Sequence, residues 1–283
     1  MKRFVFTVIF VIFISLLLLT GFTVYYNNSG SKQSSPVVTT GPNQIYAGYL
    51  VSELPFPGVP VEEKKQYSSV FGSWKVPEIK KNGSKETSYS AAWIGLGGIN
   101  GSLEQIATVI CCENGNPVYE ARYQVFDKNN KTKEGSQLIT DSQGRARTVK
   151  ASDNITAGVI HLYVGKYLLA MLNTTQRWLF LKVVNGSNDG SGTDASEWIV
   201  ESPVTGTNVN FLTATTPVTF TNCFSGLTPI NKCSAINKMV SMSGNTIKAS
   251  PGTLSSGGSA FTVKWENQGK IEAFDPYVYQ LRN

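Results

Sequence analysis

The chain has 283 residues, enough for one large all-β domain or two smaller ones. Only 16% of it is Asp, Glu, Lys or Arg, against about 25% in soluble domains generally. Gly, Ser, Thr, Asn and aromatics fill the difference, which favours strands and turns over helices. The net charge of +6 is scattered, and its tightest cluster, Glu62-Glu63-Lys64-Lys65, cancels itself, which argues against nucleic acid as a partner.

In chain order, Phe4 to Tyr26 is almost wholly apolar behind Lys2 and Arg3. It reads as a membrane anchor or a signal segment, and either one carries the rest of the chain out of the cytoplasm. Sequons of the N-x-S/T form begin at Asn27, Asn82, Asn100, Asn130, Asn154, Asn173 and Asn185, as expected of an extracellular glycoprotein. Four cysteines fit an oxidising compartment. Cys223 and Cys233 enclose a short loop and are able to pair, whereas adjacent Cys111 and Cys112 leave at least one looking elsewhere or free. With no C-x-x-C pair and His161 the only histidine, neither a zinc site of the usual kinds nor a cofactor is expected.

Asn27 to about Asn43 is rich in Ser, Gly, Pro and Thr and reads as a flexible stalk. Residues 44–283 then form the domain, expected as a monomer. Strands are predicted at Tyr46–Ser52, Ser68–Val76, Ser88–Leu96, Leu103–Cys111, Val118–Phe126, Ala157–Leu172, Arg177–Val184, Glu197–Glu201, Val218–Cys223 and Ala260–Trp265. The long Ala157–Leu172 run breaks into a hairpin near Gly165-Lys166. Ser241 to Ser259 reads as surface excursions or as an extra strand or two. Many strands between Gly/Asn/Ser turns make a two-sheet antiparallel β-sandwich.

One short stretch stands out. Ser196-Glu197-Trp198-Ile199-Val200-Glu201 lies between turn-rich sequence and Pro203. Period two puts Glu197, Ile199 and Glu201 on one face, Trp198 and Val200 on the other. At roughly 3.3 Å per residue the carboxylates are about 13 Å apart, too far to share a proton, so chemistry needs a partner from another strand. The usual catalytic sets are missing. His161 lies within an apolar run and reads as a strand or core residue. G-x-S-x-G and the Asp-Thr-Gly or Asp-Ser-Gly triplets are absent.

Several segments, in order, resemble the glutamic peptidases (eqolisins), a family of secreted acid endopeptidases. Tyr46-Ala47-Gly48-Tyr49 is similar to the family's N-W-A-G-Y, and Gly72-Ser73-Trp74-Lys75-Val76-Pro77 to its G-S-W-x-V-P. Ala92-Trp93-Ile94-Gly95-Leu96-Gly97-Gly98 resembles A-W-V-G-I-D-G, followed by Leu103-Glu104-Gln105 for L-x-Q. Tyr119 to Phe126 parallels Y-x-A-W-Y-E-x-Y, the Ser196–Glu201 stretch A-E-W-I-V-E, and Phe220-Thr221-Asn222-Cys223 F-T-D-C. The likeness runs from about Tyr46 to Cys223.

The resemblance implies a concanavalin-type sandwich and a catalytic pair, Gln105 and Glu201, acting on polypeptides. A carboxylate orients and deprotonates water and returns the proton to the leaving amine. An amide N–H stabilises the oxyanion, and glutamine does this at acid pH because it never titrates. Gln105 shares a strand face with Leu103, Ala107 and Val109, a mostly apolar setting able to raise the pKa of Glu201. Gln105 and Glu201 are expected on adjacent strands, roughly 3 to 5 Å apart. Candidate substrate-binding residues are Trp74, equally readable as core, and Tyr123, while Trp93 reads as core.

There are departures. Gly97 stands where the family has Asp, Ile106-Ala107 where it has Thr-Gly, Arg122 where it has Trp, and Gln124 where it has Glu. They make the groove less acidic and less aromatic. The alternative reading is a noncatalytic glycan- or peptide-binding glycoprotein of the cell envelope.

Overall fold

Apolar residues alternating with small polar ones, between Gly- and Asn-containing turns, produce strands almost throughout. The computed structural model describes residues 37–52, 67–80, 86–99, 102–127, 132–163, 165–186, 193–233, 235–255 and 257–274. Its strands begin with β1 Val37–Asn43, β2 Tyr46–Ser52, β3 Ser69–Lys75, β4 Ser88–Gly97, β5 Leu103–Glu113, β6 Asn116–Phe126 and β7 Thr132–Leu138. Next come β8 Asn154–Tyr163, β9 Lys166–Asn173, β10 Trp178–Asn185, β11 Ala195–Glu201, β12 Val204–Thr205, β13 Asn208–Val209 and β14 Phe211–Leu212. The last are β15 Val218–Ser225, β16 Thr228–Pro229, β17 Ala235–Ser243, β18 Thr246–Pro251, β19 Phe261–Trp265 and β20 Glu272–Ala273. Among the described residues helix amounts to a 3₁₀ turn at Ile230–Lys232 and a 3₁₀ position at Thr193.

Pairing runs β7–β6–β5–β4–β11–β2–β17 and continues β18–β19–β15–β3–β8–β9–β10. The expected two sheets are therefore one large sheet, antiparallel except where β1 joins β17 and β14 joins β4. Strands β12, β13 and β20 form a separate small sheet. The large sheet doubles back near β17 and β18, where the register shifts between Ser241 and Met242. β3 then faces β5 and β11, and side-chain bonds cross the interior. Trp74 Nε1 donates to Thr108 Oγ1 at 2.9 Å, and Trp198 Nε1 to the Phe71 carbonyl at 2.7 Å.

The main core lies in this interior and includes Ile94, Leu96, Ile106, Val159, Leu169, Trp198, Val200 and Phe220. Each such side chain contributes roughly 1.5–3 kcal/mol by leaving water. Gly48 lets β2 and β11 close up: a Cβ there would lie 2.0 Å from the Trp198 carbonyl oxygen.

The ten predicted strand regions all contain strands, and the long one divides around Gly165, whose φ is +69°. One expectation changes, and one open alternative is resolved. The stalk is not irregular to its end, because Val37–Asn43 pairs in parallel with Ala235–Ser243. The Ser241–Ser259 stretch supplies β18, the extra-strand alternative. Phe4–Tyr26 lies outside the described residues, among which no helix is long and apolar enough to cross a membrane.

Cys111, Cys112 and Cys223 form no disulfide, and Cys223 and Cys233 are both buried. Of the sequon asparagines, Asn154 and Asn185 are exposed, but Asn173 is 0% exposed and donates to Asp153 Oδ2. Asn27, Asn82, Asn100 and Asn130 lie outside the described residues. His161 is a strand residue on β8, packed against Tyr167.

Candidate active site

β11 is buried on both sides, and its parity decides what each side is for. Trp198 and Val200 enter the main core, whereas Ile199 joins a second cluster with Ala91, Trp93, Leu103 and Ala107. Glu197 and Glu201 share the Ile199 side. Because β11, β4, β5 and β6 pair without a register shift, that face is a grid of three rows. One row is Glu197, Gly95, Gln105 and Gln124; the next is Ile199, Trp93, Ala107 and Arg122; the third is Glu201, Ala91, Val109 and Glu120.

Glu201 ends the third row. Trp93 Nε1 donates to its Oε2 at 2.7 Å. Burial raises the Glu201 pKa from 4.5 to about 7, and the Trp93 hydrogen bond pulls against that rise. Tyr46, opposite Glu201 on β2, packs edge-on to the Trp93 ring with centroids 5.4 Å apart. Its hydroxyl is pushed well above the usual tyrosine range by burial first, then by Glu201 and Glu197. Glu197 is held well above the carboxylate range by burial, then by Asp194 and Glu201. Gly98, with φ +100°, lets this side chain in: a Cβ there would sit 2.9 Å from Glu197 Oε1.

Gln105 ends the first row's approach from β5. It is 8% exposed, and its Nε2 donates to Gln124 Oε1 at 3.3 Å. Its Oε1 is buried with no hydrogen-bond partner among the described residues. A buried amide oxygen left in this state carries a cost of about 1–3 kcal/mol, which a ligand donor would remove.

Gln105 and Glu201 thus share a face, but they are not on adjacent strands. β4 separates them, with an offset of four residues. That is about 10 Å across the sheet and about 13 Å along it, beyond the direct reach expected from sequence. Trp93 stands in the row between them. Its Nε1 holds Glu201, and its ring edge at Cζ3 lies 2.9 Å from where a Gly95 Cβ would be. Gly95 therefore leaves room for the indole beside Gln105.

Both candidate substrate-binding residues lie on the other side of the sheet. Trp74 is 3% exposed in the main core, bonded to Thr108 and packed on Phe220. Tyr123 pairs with Ile106, also on the interior face; it stacks on Phe180, and its hydroxyl accepts from Lys182 Nζ. Neither borders the Gln105–Glu201 face. Sequence reasoning passed over two residues that do, Trp93, buried as expected but on the site side, and Tyr46, whereas Gln124 and Arg122, read from the resemblance as groove positions, do lie on this face. The one available signal was the odd-numbered parity that Trp93 shares with Gly95 and Ala91, which acquires meaning only with cross-strand register. Among the described residues no group of His, Cys, Asp and Glu side chains is placed to hold a metal ion.

Comparison with known proteins gives a consistent picture. No curated protein sequence matches the chain. Solved structures do: scytalido-glutamic peptidase with a transition state analog inhibitor aligns with a TM-score of 0.58 at 16% identity, over 79% of this chain and 98% of that one. SCP-B, described as a member of the eqolisin family and bound to the tripeptide Ala-Ile-His, gives 0.55 at 15% identity over the same shares. At such identity these likenesses speak for the fold. The family profile described as Peptidase A4 family matches residues 57–271, which cover all three rows but not Tyr46, and the chain belongs to that family as a glutamic-type endopeptidase.

Proposed function

We propose that the chain hydrolyses peptide bonds in acid with Glu201 as the proton-handling group and Gln105 as the oxyanion donor. The observation that carries this reading is the Glu201 carboxyl itself, half-buried, held by Trp93 Nε1, and on the face that also bears Gln105. With a pKa near 7 it keeps its proton in acid. It hands that proton to the leaving nitrogen and takes one from the attacking water, so it ends as it began. Gln105 binds through an amide partner, Gln124. Turning both amides by 180° reverses their hydrogen bond and frees Gln105 Nε2 for an oxyanion. A substrate strand that reaches both would bridge the two groups, which do not touch each other. The two-layer arrangement supports the concanavalin-type sandwich that the resemblance implies. The apolar N-terminal run and the exposed Asn154 and Asn185 support action outside the cytoplasm, on the membrane or released from it, as a monomer.

A second reading has its own observation: Glu197, not Glu201, shares a row with Gln105, across a glycine. Cleavage of a denatured protein between pH 2 and 7, with pepstatin present, separates the two. Glu201→Gln and Gln105→Ala should each slow it about a hundred-fold or more while Glu197→Gln retains it. Activity lost in Glu197→Gln but kept in Glu201→Gln would move the proton-handling role to Glu197. No cleavage by folded native chain at any pH would leave the noncatalytic binding protein.

A further inference from the structure

Gln105 and Gln124 stand directly opposite each other on β5 and β6, in the row that begins with Glu197 and Gly95. On the β4 side Gly95 offers Gln105 no side chain, so Gln124 is the side-chain partner of this amide among the described residues. Gln105 Nε2 donates to Gln124 Oε1 at 3.3 Å, and Gln105 Oε1 is left over, buried and unbonded among the described residues. Gln105 is 8% exposed, so water has little access to either end of its amide.

An amide beside an amide has two ways to bond. Either side chain can donate, and the two arrangements interchange when both groups turn over. In the arrangement observed, the free end of Gln105 is its oxygen; in the reversed one it is Nε2. An ionised carboxyl in place of Gln124 would remove that choice, because it only accepts and would hold Gln105 Nε2 in a charge-assisted bond. The free end would then always be the oxygen, which repels a developing oxyanion. A protonated carboxyl donates and restores the choice, so such a site would work only in acid. Gln124 does not titrate.

We propose that Gln124 is a positioning residue that sets the free end of the Gln105 amide and keeps Nε2 available to an oxyanion across the whole acid range. This role rests on Gln105 being the oxyanion donor. With that donor indifferent to pH, the alkaline limit of cleavage falls to Glu201, at about 7. The charged groups on the same face are Glu197, across Gly95 on β11, and Arg122, two residues along β6. Arg122 is bonded to Glu120 and to Ser136 of β7 and to neither amide. On β7 Glu134 stands opposite Val125 and pairs with Lys182, on the interior side.

The test follows kcat and KM on a peptide substrate from pH 3 to 7 for the full chain and its variants, with folding checked by circular dichroism. In Gln124→Glu, kcat should fall about ten-fold between pH 3 and pH 6, with KM little changed. The fall should follow a new limb near the free glutamate value of about 4.3. The native chain should hold its kcat until the pH nears about 7. Gln124→Leu, which can neither donate nor accept, should lower kcat about equally at every pH and add no limb. A native profile for Gln124→Glu overturns the proposal. So does a limb that persists when Gln105→Ala is combined with Gln124→Glu, since it acts without Gln105 and leaves the peptidase reading standing. Gln105→Ala cleaving as fast as the native chain overturns the donor reading itself. The side-chain amide signals of Gln105 in heteronuclear NMR supply a readout free of turnover: between pH 3 and pH 6 they should titrate in Gln124→Glu and stay constant in the native chain. Titration without cleavage by any chain upholds the hold of Gln124 on Gln105 and overturns the hydrolytic reading.

Discussion

The two faces of β11 are both largely hidden from water and differ in most other respects. On the inner face Trp198 Nε1 is bonded to the Phe71 carbonyl, and the Ser196 hydroxyl to that of Ser225, within an otherwise apolar core. On the outer face burial pushes the pKa values of two carboxyls upward, and across the sheet an amide oxygen lacks a partner among the described residues. Burial alone would label both faces core. Polar groups whose charge or hydrogen bonding is left incomplete mark the working face, since a folded chain tolerates them at a cost in stability.

The contrast is broken most strongly from the inside. Trp198→Ala should cost about 3–5 kcal/mol, read as a lowered urea midpoint, and should reduce activity only through unfolding. Glu201→Gln should do the opposite, with cleavage down about a thousand-fold and the fold retained by circular dichroism. Next, the pH dependence of stability sharpens the contrast. A folded pKa of about 7 against 4.5 means the folded state holds this proton more tightly. The stability it contributes is complete below about 4.5 and is lost as pH rises through about 7, an effect on the order of 3 kcal/mol. Glu201→Gln should therefore gain on the native chain over that window in parallel urea titrations; a constant difference would contradict the burial of this carboxyl. Gln105→Ala should slow cleavage about a hundred-fold, in kcat more than KM. The smallest effect is expected from Trp93→Phe, which removes a bond that lowers the Glu201 pKa. The alkaline limb of the pH–rate profile should move upward, with only a few-fold change in rate.

Much of this was legible in the sequence, and the limits have physical causes. The β5 alternation correctly put Gln105 with Leu103, Ala107 and Val109, and Glu201 with Glu197 and Ile199, because period two is a property of a single strand. Which strand lies beside which is not such a property. β4 inserts between β5 and β11, so the pair expected to touch is separated by a tryptophan. Trp74 and Tyr123 could be given a parity but not a side, since the side is fixed by how the sheet doubles back. β1 escaped notice because Val37–Asn43 contains Gly and Pro and finds its partner about two hundred residues away, at Ala235–Ser243. β17 and β18 were obscured in the same way by Ser-rich sequence.

The absence of disulfides has a consequence for how the protein can be made and handled. Cys223 sits wholly in the core with its thiol pushed well above the usual range by burial, so it stays protonated and slow to react. Cys112 and Cys233 are likewise buried, and only Cys111 is partly accessible. Nothing in the architecture waits for an oxidant. Refolding yield and melting temperature should be the same in dithiothreitol as in air, which makes the domain redox-indifferent and open to production in a reducing host.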